Sequence, residues 1–395
     1  MHKGISLTAL SEELTRQKET RLDFLADTRA ITAVPHRLYQ EVENTEASCD
    51  MTEDEKGFFI PQGVALNVGD KGVFPTTDIS NGQLAKKLQI PKKYFDRMLT
   101  GEEMNQELLC TNINHWLETQ PEKRMVRTLD GNARAYLSER YRPLDNFDLA
   151  EAVLPTLLDK QVDIVSCNIT EARMYIKAIN YQVQGEVGVG DTVASGVIIS
   201  NSEVGKGSLF VGPFAERLAC KNGMVINDWG KRKYHVGKSN AEGGMSADEA
   251  YALYTDQTKE MTDQAFWHQV RDLVVASLSE EGFGEIISSL TESTTRGIQE
   301  DNPFEVMEVV EKKWGTLTGR GSRSIRTEEK QGILQHLIHA KGDTSLGMTQ
   351  WGLANAITRQ AEDVESYDRA TELESLGYSV ATLDSRKFDT LVGNN

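Results

Sequence analysis

Four β-type runs follow one another through the middle of the chain: VDIVSCNIT (162–170), ARMYIKAIN (172–180), TVASGVIIS (192–200) and SLFVGPFAERL (208–218), separated by turn residues. Strands in succession, rather than alternating with helices, predict an α+β unit with a mostly antiparallel sheet. RMVRTLDGNARAYLSE (124–139) precedes them and reads as two short strands around Asp130-Gly131-Asn132, a strong hairpin turn. Between the hairpin and the runs lies PLDNFDLAEAVLPTLLDK (143–160), where Asp145 or Asn146 can cap a helix that buries Phe147, Leu149, Ala150, Val153, Leu154 and Leu157.

The flanks read differently. Residues 1–56 predict a helical arm and an acidic linker, EVENTEASCDMTEDE over 41–55. Residues 57–120 form a small α/β N-terminal part, starting with FFIPQGVALNV and continuing in QLAKKLQIPKKYFDRML (83–99). There Leu84, Leu88, Phe95, Met98 and Leu99 recur at near-helical spacing, with Pro91 at the first turn of a second helix. The pair resembles a helix-turn-helix with Lys92, Lys93 and Arg97 opening its second helix, but with no recognisable turn glycine it reads better as two amphipathic helices packed on a neighbour. The central α+β sheet domain is expected over 121–240. A Gly-rich stretch and a capping box of Ser246 and Glu249 then open a mainly helical domain over 246–395, with Gly377 as a helix stop and SVATLD as a last strand.

The 395 residues are 39% hydrophobic and 26% charged, and no apolar run approaches the ~18 residues of a membrane span. Ser11, Glu12, Glu13, Arg16 and Lys18 break any secretory core at the N-terminus, and Cys49, Cys110, Cys167 and Cys220 are too dispersed for a disulfide framework or zinc knuckle. Both features point to a cytoplasmic location. A net charge of -17 argues against coating nucleic acid by bulk charge. Yet basic side chains outnumber acidic by six to three over 121–142, seven to two over 206–238 and six to two over 312–330, so a local basic surface is open to the chain.

Gly205-Lys206-Gly207-Ser208 matches only the second half of a phosphate-cradling loop, so the segment reads as a turn between two core strands and ATP-driven chemistry is not expected. His336 and His339 share a helix face without a readable third ligand, and no nucleophile-base spacing appears, so no metal, cofactor or catalytic set is assigned.

In ARMYIKAIN, Ala172, Met174, Ile176 and Ala178 point to one face while Arg173, Tyr175 and Lys177 point to the other. Arg134, Tyr136, Arg140 and Arg142 continue the basic-aromatic pattern, as do Lys206, Arg217, Lys221, Lys231, Arg232 and Lys233, with Trp229, Tyr234 and Lys238 nearby. Cations that track phosphates, interleaved with aromatics on which bases stack, are how sequence-tolerant single-strand binding works. The same pattern also describes the ordinary polar face of a half-buried strand.

Three segments, RTLDGNARAYLSERYRPLDNFDLAEAVLP, ISNSEVGKGSLFVGPFAERLACKNG and TQWGLANAITRQAEDVESYDRATELESLG, resemble a prokaryotic, phage and plasmid family, domain of unknown function nine-three-two; IPKKYFDRML extends the likeness over roughly 60–380. The resemblance implies a mobile-element context and no particular reaction. The order of hairpin, helix and sheet is similar, at the level of fold, to single-strand annealing proteins of the Redβ, RecT and Erf class.

The expected function is therefore mobile-element DNA metabolism: single-stranded DNA binding and ATP-independent strand annealing in recombination. A homo-oligomer, such as a closed ring, would align the few basic windows. WGLANAITRQAED places Leu353, Ile357 and Ala361 on a stripe suited to domain packing or subunit contact. Two alternatives remain: an enzyme with dispersed groups, for which Asp145, Asn146, Asn201 and Glu203 are candidates, and a host-defence inhibitor whose acidic face mimics DNA. A continuous basic groove, a deep polar pocket and an unbroken acidic face distinguish the three.

Overall fold

The structure, a computed structural model, describes residues 4–41, 57–100, 103–226, 231–233, 255–317, 325–343 and 345–394. Helix α1 (Leu7–Thr20) starts at Ser6, whose side chain caps the Ala9 amide, and leads into strand β1 (Leu22–Asp27) and β2 (Thr32–Glu41). The helical arm expected at the N-terminus is thus followed by two strands rather than by a linker alone. β1 joins β5 (Lys123–Leu129) and β6 (Asn132–Ser138) in one antiparallel sheet, and β2 joins β3 (Gly57–Asn67) and β4 (Val73–Pro75) in another. β1 and β2 escape sequence patterning because pairing, not a clean apolar alternation, defines them: Leu22 and Leu25 of β1 are exposed. Residues 42–55 of the acidic stretch lie outside the described residues.

Helices α2 (Asp78–Lys87), α3 (Lys92–Leu99) and α4 (Glu103–Thr119) pack on these two sheets. Leu84, Leu88, Phe95 and Met98 are all in the shared core, while Lys92, Lys93 and Arg97 face solvent. The β5–β6 turn has Asp130 at φ 50° and Gly131 at φ 75°, the left-handed pair that a two-residue hairpin turn requires.

The central sheet runs in the order β11-β10-β9-β8-β7, comprising β7 (Asp163–Ile169), β8 (Met174–Gly188), β9 (Asp191–Asn201), β10 (Leu209–Arg217) and β11 (Asn222–Val225); β12 (Lys231–Lys233) also pairs with β10. All these pairings are antiparallel. One face carries Met174, Ile176, Ala178, Val197, Ile199, Leu209 and Val211 against α1, helix α5 (Asn146–Asp159) and helix α6 (Asp256–Ser277). In α5, Leu149, Ala150, Val153 and Leu157 are buried, with Phe147 and Leu154 partly so.

The other face is covered as well. Among the described residues α6 is followed by α7 (Glu280–Thr295), α8 (Pro303–Leu317), α9 (Thr327–Gly342), α10 (Gln350–Gln360), α11 (Tyr367–Ala381) and α12 (Ser385–Val392). Tyr367 of α11 packs with Tyr175, Ile179, Ile198, Phe210 and Phe214 of the sheet, and α7 to α12 share a second cluster with Val193, Ala215 and Met224. A sheet buried on both faces leaves little polar edge, which is why β9 and β10 are buried along nearly their whole length.

Two expectations at the C-terminus change. Gly377 does not stop a helix and SVATLD is not a strand: α11 runs through Gly377 to Ala381. A Cβ on Gly377 would sit 2.1 Å from Thr358 Cγ2 and 2.9 Å from the Ala354 carbonyl, so this glycine is where α11 crosses α10 at close range. Leu353, Ile357 and Ala361 have no exposed surface, which assigns their stripe to the core rather than to another subunit. The Ser246–Glu249 capping box lies outside the described residues.

Candidate functional site

Two polar clefts of about 310 Å³ each open on the central sheet, and Ala172 and Arg173 line both. The first is walled by Glu13 and Arg16 of α1, Asp130 of the hairpin turn, Arg134 of β6 and Glu203 after β9. Arg16 reaches Asp130 at 2.5 Å and Glu13 at 2.8 Å, which fixes the α1 wall to the hairpin. Arg134 pairs with Glu203 at 2.8 Å, and the other Glu203 oxygen accepts from the Asn146 amide at 2.6 Å.

Behind that cleft lies a buried charge network. Arg127, with no exposed side-chain surface, binds Asp23 at 2.7 Å and Asp145 at 2.5 Å, and donates to the Glu203 carbonyl at 3.1 Å. Burial opposes the Asp145 charge, but Arg127 and Arg21 beside it outweigh that and hold the carboxyl below its usual range. Asn201 donates to the Leu144 carbonyl at 2.7 Å and to Asn146 Oδ1 at 2.9 Å. The four residues suggested as dispersed catalytic groups, Asp145, Asn146, Asn201 and Glu203, are thus neighbours, joined by internal hydrogen bonds.

The second cleft is floored by one row across the sheet. Tyr175 of β8 pairs in register with Ser200 of β9, Ser200 with Phe210 of β10, and Phe210 with Arg232 of β12. Tyr175, Ser200 and Phe210 all line the cleft, with Arg173 and Lys206 at one side and Asp368 and Glu372 of α11 at the other. The glycines around Lys206 have separate uses. Gly205 takes φ 69°, which favours glycine, and a Cβ on Gly207 would lie 2.0 Å from an Arg173 guanidinium nitrogen. Arg173 therefore packs directly against Gly207 and donates to the Lys206 carbonyl at 2.7 Å.

The basic-aromatic residues expected from the sequence divide into three groups. Lys206, Lys221 and Arg140 are exposed and Arg173 is half-buried at the clefts. Arg142 is drawn to Asp263 of α6 and lies 5.7 Å over the Phe266 ring, and Arg134 is tied to Glu203. Tyr136, Tyr175, Lys177 and Arg217 are 4%, 3%, 0% and 3% exposed, which corrects their expected place on an open face. The alternation that put Tyr175 and Lys177 opposite Met174 and Ile176 holds, but α11 occupies the face they point to. Tyr175 donates to Asp368 at 2.5 Å, and burial, reinforced by that carboxylate, pushes its phenol up. Lys177 contacts Glu374 beneath the Tyr367 and Phe214 rings, and burial lowers its ammonium although Glu374 opposes this. Arg217 is clamped by Asp191 at 2.6 Å and Ser345 at 2.9 Å.

For Lys231, Arg232 and Lys233 the strand and its register are described; Trp229, Tyr234 and Lys238 lie outside the described residues. His336 and His339 do share α9, with His336 Nε2 3.2 Å from Asp363. Among the described residues no group of three His, Cys, Asp or Glu side chains is placed to hold a metal, and no helix is long and apolar enough to cross a membrane. Sequence reasoning missed Arg16 and the α11 carboxylates. The only local signal for Arg16 was its helical spacing from Glu13, which says nothing about the hairpin it meets.

These features define an α+β protein whose helical C-terminal part closes one face of an antiparallel sheet. The model of the family described as domain of unknown function (DUF932) matches residues 135–380, and the chain belongs to that family. The match begins in β6 and ends in α11, so it takes in the central sheet and most of the helices that cover it. No curated protein and no solved structure matches the chain.

Proposed function

We propose that the chain is a cytoplasmic single-stranded DNA-binding protein of a mobile element, acting without nucleotide hydrolysis in strand annealing. The observation that supports this reading is the convergence of three basic segments that are remote in sequence. Arg173 and Lys206 flank the second cleft, and β12, with Lys231, Arg232 and Lys233, is hydrogen-bonded to the stretch of β10 that contributes Phe210 to it. Backbone phosphates are the natural ligand of such a margin, since exposed cations neutralise them without reading sequence. Because Tyr175 and Phe210 are largely covered, binding relies more on phosphate contact than on base stacking. A closed oligomer would repeat this margin and raise avidity.

A second reading, an enzyme acting on a small polar ligand in the first cleft, is favoured by Asn146 and Glu203 on its wall. Both Glu203 oxygens are already engaged, by Arg134 and by the Asn146 amide, which weighs against Glu203 as a general base.

The deciding experiment is fluorescence anisotropy of a mixed-sequence single-stranded oligonucleotide across a salt series, with light scattering on the same samples. Binding that weakens steeply with salt, and a larger particle when DNA is added, are expected. No binding at low salt would overturn the reading, and a strict monomer in both states would remove annealing by a ring.

A further inference from the structure

The second cleft has walls of opposite charge. Asp368, Thr371, Glu372 and Ser375 line it from α11 at the helical spacing that puts them on one face, and Arg173 and Lys206 line the other side of the Tyr175, Ser200 and Phe210 floor. A nucleotide is polar in the same sense: its phosphate is negative, and the edge of every DNA base but thymine offers an exocyclic amine. We propose that Glu372 selects the base. With the phosphate of a bound single strand at Arg173 and Lys206, its carboxylate accepts from the exocyclic amine of the base in the cleft, so that cytosine is taken in preference to thymine. This rests on the single-stranded DNA reading above and adds a preference that phosphate contacts by themselves do not give.

The two carboxylates of the α11 wall are differently placed to act. Both Asp368 oxygens are engaged within the chain, Oδ1 by the Tyr175 hydroxyl at 2.5 Å and Oδ2 by the Thr170 hydroxyl at 3.0 Å. Glu372 accepts from Arg369 Nη1 at 2.9 Å through Oε2, and its side chain keeps 41% of its surface exposed. A carboxylate has about four lone-pair positions, so one ion pair does not exhaust it. Arg369 is itself fixed by the buried Glu329 at 2.7 and 2.6 Å. The Glu329–Arg369 pair thus holds the Glu372 carboxylate in place before a ligand arrives, which reduces the ordering cost of binding.

The opposite wall is also set, because Arg173 donates to the Lys206 carbonyl at 2.7 Å while Lys206 is exposed. A strand cannot lie the other way round, since α11 would then present two carboxylates to phosphate. Cytosine and thymine share a ring size and differ at the group that Glu372 meets: cytosine carries an amino donor, thymine a carbonyl acceptor. A carboxylate accepts from the first and repels the second. Recognition by the base edge needs no stacking, in keeping with the covered rings of Tyr175 and Phe210.

The test measures oligo-dC and oligo-dT of equal length by competition anisotropy near neutral pH, on the parent chain and on E372Q. The parent should bind oligo-dC about fivefold tighter, the scale of one net hydrogen bond. In E372Q the side-chain carbonyl still accepts from cytosine while the amide donates to the thymine carbonyl, so oligo-dT should gain affinity and the preference should vanish. Glu372 is half-exposed and Arg369 keeps Glu329, so E372Q should hold the parent fold, which circular dichroism checks. Parent protein that binds the two equally, or favours oligo-dT, would overturn the selection and leave the single-strand reading standing. Binding of neither at low salt would overturn both, and a preference that survives E372Q would overturn the assignment to Glu372.

Discussion

Lys177 of β8 and Glu374 of α11 meet as an ion pair in which neither side chain has any exposed surface. The pair ties the sheet to the helix that covers it, beneath the rings of Phe214 and Tyr367. Removing one member strands the other charge away from water, so E374A should cost about 3–5 kcal/mol, whereas the double replacement K177M/E374L should be near neutral or stabilising. Urea unfolding of the two variants checks this. A double variant as unstable as the single one would mean that the loss comes from disturbed packing between β8 and α11 and not from a stranded charge.

The Asp145–Arg127 contact makes a pH-dependent prediction. The Asp145 carboxyl is held below its ordinary value of 3.8, so its contribution is fully present above that range and is lost as pH falls through its folded value. D145N should therefore destabilise by about 1–3 kcal/mol at pH 7, since Arg127 keeps Asp23 as a partner. Because the parent loses this contribution in acid, the gap between parent and variant should narrow by pH 3. Denaturant midpoints that differ equally at both pH values would count against the assignment.

At the crossing of α10 and α11, G377A should destabilise by about 1–3 kcal/mol, because the new methyl overlaps Thr358 Cγ2. T358S removes that methyl and keeps the hydroxyl that accepts from Asn222, so it should recover part of the loss. Recovery should be incomplete, since the Ala354 carbonyl also stands within 2.9 Å of the added atom. Thermal unfolding of the two single variants and the double gives the coupling directly. Additive losses would show that the helices part rather than clash.

On the proposed DNA margin, replacing Lys231, Arg232 and Lys233 together with alanine should weaken oligonucleotide binding and lower the slope of log affinity against log salt by up to about three phosphate equivalents. K206A alone should lower it by about one. Identical slopes in parent and triple variant would take β12 off the binding surface, while K206A would still report separately on the second cleft.

Much of the architecture was legible because it rests on local pattern. The Asp130-Gly131 turn needs left-handed backbone, the α5 stripe needs a core, and the alternation in ARMYIKAIN separates Met174 and Ile176 from Tyr175 and Lys177; each follows from steric rules and repeat period alone. Those rules assign residues to a face but do not say what covers it. Lys177 looked like a surface cation because its partner, Glu374, lies 197 positions away on a helix whose docking leaves no local trace. Gly377 looked like a helix end for the same reason: whether a glycine stops a helix or admits a neighbour depends on an approach made only in three dimensions. Arg173 and Lys206 were each readable as basic, but only the fold brought them to one cleft, and only strand pairing set β12 against the stretch of β10 that lines it. Short-range sterics and periodicity thus belonged to the sequence, while burial of charge and the meeting of distant segments belonged to packing, because the energy of a charge depends on everything around it and not on its neighbours in the chain.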